Sequence, residues 1–145
     1  MEYVRWDKAL ELGIPEIDAQ HKKLVDLTNE LYNAVSKGSD AAALQKILQG
    51  LAEYAAEHFA TEEKYFDQFG YSDAHAHRKQ HEAFVSKVAD FYKEFDEGDP
   101  KLPMEMMVFL RQWLVKHIQR SDSQYVPLFE ENGLGKKKEA ELSIL

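Results

Sequence analysis

The sequence predicts an all-α fold, an up-down-up-down antiparallel four-helix bundle with an extended N-terminal arm. Two observations lead there. Apolar residues recur at helical spacing over four long stretches, and the segments between those stretches are short and carry Gly38, Gly70, Gly98 and Pro100. Short connections between long helices favour antiparallel neighbours.

Taken in order, residues 1–15 carry Trp6, Gly13 and Pro15 without helical periodicity and read as an arm. A first helix is expected from about Glu16 to Val35, with Leu24, Leu27, Leu31 and Val35 on its apolar stripe, ended by Gly38. Asp40 suits the N-cap of a second helix, whose series Leu44, Ile47, Leu48, Leu51, Ala55, Phe59, Phe66 and Phe69 holds until Gly70. Ser72 or Asp73 can cap a third, carrying Phe84, Val88, Phe91 and Phe95. Pro103 fits the first turn of a fourth, where Met106, Leu110, Trp113 and Leu114 supply the buried side. A short helical turn is expected around Pro127, followed by a polar tail. The whole chain, 1–145, reads as one domain: arm 1–15, bundle about 16–132, then the tail.

Composition narrows the function classes. There is no cysteine, which excludes disulfides, thiolate metal sites and thiol catalysis. A net charge of -8 repels phosphate backbones and anionic lipid surfaces, so no nucleic-acid partner is expected. Lys136, Lys137 and Lys138, the one basic run, read as a solvated tail segment. No apolar leader or membrane-spanning run is present in the sequence, so the expected location is the cytoplasm, without membrane insertion.

The chemistry is carried by histidine. Of six histidines, five combine with two acids over the four helical stretches: His21; His58 with Glu62; His77 with His81; His117 with Asp122. Residues four apart share a helix face, and those faces coincide with the apolar stripes. Each of these side chains is therefore aimed at a core where an unpaired carboxylate costs several kcal/mol. No lysine or arginine shares these inward positions, so salt bridges do not compensate, and a pair of cations does. Asp122, five residues after His117, would point about 140° away on a regular helix. The fourth helix is therefore expected to end or distort between Ile118 and Asp122.

Five imidazoles and two carboxylates, without thiolate, lean towards a dinuclear iron site. With both carboxylates bridging, one ion takes three histidines and the other two; a solvent-derived oxo or hydroxo bridge then leaves the second ion an open position for a small diatomic ligand. Leu24, Phe59, Trp113 and Leu114 lie within a turn of these residues and would give an apolar lining, buried in any case. His75 reads as exposed and Glu63 as a solvated neighbour of Glu62, while Tyr54, Tyr65 and Tyr125 read as packing residues.

Together, His21 in IDAQHKKL, the HFATEE segment from His58, HRKQH from His77 to His81 and HIQRSD from His117 to Asp122 resemble the hemerythrin signature in order and spacing. The resemblance extends from Trp6 and GIPEID to YVPLF, and is to single-domain bacterial hemerythrins. It implies a non-haem di-iron centre (Fe2+/Fe3+ with an oxo or hydroxo bridge) that binds O2 reversibly. By position, His77, His81 and His117 would hold the saturated iron, His21 and His58 the iron with the open site, and Glu62 and Asp122 would bridge. NO, or small anions such as azide, would compete for the open position. The family's role is oxygen storage, transport or delivery to oxygen-requiring enzymes, with no catalytic residue expected here and no protein recipient identified. The alternatives are an O2 or NO sensing module acting through a partner, a di-iron oxidase or peroxidase-like enzyme, and hydrolytic two-metal chemistry. Ser121 with Arg120 is the one local departure, and it replaces no ligand.

Overall fold

A computed structural model describes residues 3–38 and 40–134. The basic run and the polar tail lie outside the described residues. Four long helices form the bundle: α1 (Pro15–Ser36), α2 (Ala41–Phe69), α3 (Ala74–Asp96) and α4 (Leu102–Trp113). The chain continues from α4 into a π-helical stretch (Leu114–Ser121), a 3-10 turn (Asp122–Tyr125) and α5 (Val126–Glu131). Each long helix packs beside its sequence neighbours, and α4 closes the ring against α1. That is the antiparallel up-down-up-down arrangement, and no strand occurs among the described residues.

The helix boundaries have local causes. Pro15 opens α1 at a position whose missing N–H costs nothing. Asp40 caps α2, its side chain accepting from the Ala43 N–H at 2.7 Å. Gly70 ends α2 in the left-handed conformation (φ 70°), and the N–H groups of Gly70 and Tyr71 both return to the Phe66 carbonyl. Asp73 stands at the start of α3 without making a side-chain cap. Pro103 lies in the first turn of α4 as expected. Within α2, Gly50 has a packing reason: a Cβ there would come within 2.6 Å of a Leu27 methyl on α1.

The arm is tied down rather than loose. The Asn29 side-chain oxygen accepts from the N–H groups of Tyr3 and Val4, both at 2.8 Å, and its amide donates to the Val4 carbonyl. Tyr3 stacks on Tyr32 with ring centroids 5.0 Å apart. The Asp18 carboxylate accepts from the Leu12 and Gly13 N–H groups, fixing the approach to α1.

Two apolar clusters make the core. The larger fills the middle of the bundle with Leu24, Leu31, Leu48, Leu51, Phe84, Phe91, Met106 and Leu110 among others. The smaller, at the end where α5 folds back, joins Ile14, Ile17, Tyr65, Phe66, Tyr125 and Phe129. Between them along each helix lies a layer of polar side chains.

Candidate metal centre

That layer consists of His21 from α1, His58 and Glu62 from α2, His77 and His81 from α3, and His117 and Asp122 from the segment after α4. None is more than 3% exposed. On α1, His21 falls between Ile17 and Leu24; on α2, His58 and Glu62 fall between Ala55 and Phe66. The apolar period of each helix therefore delivers a polar group to the same level.

Asp122 arrives by a different route. The π-helical stretch from Leu114 to Ser121 hydrogen-bonds i to i+5, so residues five apart share a face. The distortion starts at Leu114, upstream of the expected Ile118, and it passes straight into a 3-10 turn at Asp122. The widened turn brings His117 and Asp122 together: His117 Nε2 lies 2.9 Å from Asp122 Oδ1.

The two carboxylates stand between two sets of imidazoles. Asp122 Oδ1 faces His77 and His117 at 2.9 Å each, while Oδ2 faces His21 at 2.8 Å and His58 at 3.9 Å. Glu62 Oε1 reaches His81 at 2.9 Å, His58 at 3.2 Å and His77 at 3.6 Å. One set thus holds three histidines (77, 81, 117) and the other two (21, 58), whose Nε2 atoms are 3.0 Å apart.

Outer partners orient the rings. His58 Nδ1 lies 2.7 Å from Gln20 Oε1, and the Gln20 amide donates onward to Thr61 Oγ1. His117 Nδ1 lies 2.6 Å from Gln80 Oε1, and His81 Nδ1 lies 3.1 Å from Glu63 Oε2. Glutamine oxygens and a carboxylate only accept, so each of these Nδ1 atoms carries a proton and each Nε2 is the nitrogen turned inward. Such partners typically fix metal-ligating histidines. The sequence reading missed them. Glu63 is not merely a solvated neighbour: it holds His81 and is itself paired with Arg78, which also binds Asp67. The available signal was position, since Gln20, Gln80 and Glu63 each adjoin an inward-facing residue. His75 is exposed, as expected.

The electrostatics are those of a compact anionic core. Burial opposes charging of His58 and His77, yet Glu62 and Asp122 overcome it and raise both to about 9. For His117, burial wins and its pKa falls. Burial and mutual repulsion push the Glu62 carboxyl up, but the histidines prevail and hold it well below the usual range. Asp122 is likewise held low against its burial by His117, His21 and His58. Tyr54 and Tyr125 are raised by burial first and then by these two carboxylates.

The donor set fits metal. Both oxygens of Glu62 and of Asp122, and Nε2 of His77, His81 and His117, are buried and make no hydrogen bond despite their short separations. These nitrogens and oxygens converge on one another in a dry layer, and each ionised group so buried costs several kcal/mol unless an opposite charge offsets it. Each fully buried large apolar side chain contributes about 1.5–3 kcal/mol, so two such carboxylates would cancel several core residues unless cations occupy the centre. The atoms sort into two groups able to hold an ion, Glu62 with His77, His81 and His117, and His21 with His58, Glu62 and Asp122. Glu62 belongs to both.

Leu24, Phe59 and Leu114 are buried around this layer, whereas Trp113 is only half-buried. Phe59 lies flat on His81 and Trp113 flat on His117, ring centroids 3.9 Å apart in both pairs. The Trp113 edge reaches a surface groove of about 450 Å³ that also exposes Gln80, Lys116 and Arg120, which explains its partial exposure.

Residues 12–129 match the family described as the hemerythrin HHE cation binding domain. The chain belongs to the hemerythrin family. It is 35% identical over 126 residues to a bacteriohemerythrin of Pseudomonas aeruginosa (strain LESB58), covering 87% of this chain and 81% of that one. A bacteriohemerythrin of Clostridium acetobutylicum is 34% identical over 125 residues, covering 83% and 97%. A crystal structure of wild-type hemerythrin superposes with a TM-score of 0.79 at 31% identity, covering 87% of this chain and 97% of that one. The four-helix bundle with a buried histidine and carboxylate layer is therefore a hemerythrin fold. No helix among the described residues is long and apolar enough to cross a membrane.

Proposed function

We propose that this hemerythrin binds O2 reversibly at a di-iron centre held by His21, His58, Glu62, His77, His81, His117 and Asp122, as an oxygen store or delivery protein. The observation that carries the reading is the orientation of Asp122, with one oxygen towards His77 and His117 and the other towards His21 and His58. Such a carboxylate suits two ions rather than one. Three nitrogens on one side and two on the other make the halves unequal, and the two-histidine half is the place for an exogenous ligand.

When bound, two irons supply two reducing electrons and an open coordination position. The chain's own residues do the rest. Gln20, Gln80 and Glu63 keep three imidazole protons outward, so His58, His117 and His81 present fixed lone pairs. Leu24, Phe59 and Leu114 keep water away from the layer. No lysine or arginine is buried in this layer among the described residues, and this supports binding over acid-assisted oxygen activation.

The test is anaerobic iron loading, metal analysis, and an optical titration with O2 followed by its removal. Two irons per chain and a charge-transfer band that vanishes on deoxygenation are expected. One iron or none, or rapid irreversible oxidation coupled to substrate turnover, would refute the carrier reading.

A further inference from the structure

Four buried polar atoms beside the centre are left over once the proposed ligand atoms and their outer partners are accounted for: His21 Nδ1, the Tyr54 and Tyr125 hydroxyls and the Trp113 indole Nε1. Tyr54 is 3% exposed and its O–H finds no acceptor among the protein groups; the buried indole N–H of Trp113 faces the Tyr54 oxygen and has no other partner. The Tyr54 ring lies over His58, centroids 5.2 Å apart at 17°. Both Tyr54 and Trp113 pack against Phe59 and Phe84, so the two close one wall of the layer. A phenylalanine at position 54 would pack there without burying a lone hydroxyl, and a buried polar group without a partner is disfavoured. An acceptor is missing from this wall, and the protein does not provide it.

The nearby imidazoles do not supply competing donors. The Nδ1 protons of His58 and His117 point outward to Gln20 and Gln80, and with the iron pair bound their Nε2 atoms would be held by metal rather than by protons. Tyr125 has a second buried hydroxyl, but it faces Glu62, and its ring lies against His77 and Phe66, on the three-histidine side. Tyr54 alone of the two stacks on the two-histidine set, where coordination falls short.

Building on the di-iron reading, we propose that the Tyr54 hydroxyl, backed by the Trp113 indole N–H, donates the hydrogen bond that orients a small electron-rich ligand of the O2 or azide class. The wall is thereby selective: it favours ligands whose outer atom accepts a hydrogen bond over those, such as carbon monoxide, whose outer atom accepts poorly.

The experiment uses the iron-loaded, oxidised full chain and azide as the probe. Azide affinity is read from the optical band, and the bound azide vibrations are compared in H2O and D2O. Tyr54→Phe, with iron content and helicity matched to wild type, is expected to bind azide about tenfold more weakly, the size of one hydrogen bond to a charged acceptor. The wild-type vibrations are expected to shift in D2O, and those of the variant are not. Equal affinities in the two proteins overturn the inference while leaving the iron pair intact. An absent D2O shift in the wild type overturns it even if the variant fails to fold. A wild-type chain that takes up no iron pair sinks the metal-centre reading and the inference with it.

Discussion

Gln80 offers the sharpest test of how the centre is built. Its Oε1 lies 2.6 Å from His117 Nδ1, so Gln80→Leu removes the acceptor, preserves most of the volume and strands an N–H on a side chain that is 2% exposed. Losing a buried hydrogen-bond partner costs about 1–3 kcal/mol, and losing an outer partner of a metal ligand typically costs about 10–100-fold in affinity, which is the same range in other units. Gln80 itself is half-buried and lines the groove shared with Lys116 and Arg120. Water can therefore enter and replace part of the acceptor, which selects the lower end, about tenfold. The assay is a chelator competition for iron, with Gln112→Leu, an exposed substitution in the same groove, as control. If Gln80→Leu retained iron as tightly as the control, at unchanged helicity, the role assigned to the outer partners would be wrong.

Three further outcomes are expected. Asp122→Asn should lower iron content from two per chain to one or none, because a single neutral oxygen replaces the carboxylate that faces both histidine sets; metal analysis reads this directly. Leu114→Ala should destabilise the fold by about 2–5 kcal/mol and speed air oxidation of the iron-loaded chain, with thermal melts and the decay of the optical band as readouts. In the chain stripped of metal, His58 and His77 are raised to about 9 from an ordinary 6.5, so their contribution is complete below about pH 6.5 and disappears as pH climbs through 9. Glu62 and Asp122 are lowered, so theirs is present at neutral pH and is lost on acidification. Urea melts of stripped protein should therefore weaken from pH 7 to 9.5, and a flat profile would contradict the ion-pair geometry.

The sequence by itself determined the bundle, because a 3.6-residue apolar period and glycine breaks are local properties that any compact packing of this chain must satisfy. It also marked His21, His58, Glu62, His77, His81 and His117 as inward-facing, since each sits on an apolar stripe where an unpaired polar group is disfavoured. Asp122 was legible only as a conflict: its five-residue spacing from His117 demanded a distorted helix. Where that distortion begins depends on how the turn after Trp113 packs over the layer, and the fold places it at Leu114. The outer partners were not legible, because Gln20, Gln80 and Glu63 make their contacts across helix pairs, and no single-chain period encodes which side chain lies behind a neighbouring helix's histidine. The division into sets of three and two histidines was already implied by the resemblance; what space added is that Asp122 turns one oxygen towards each set.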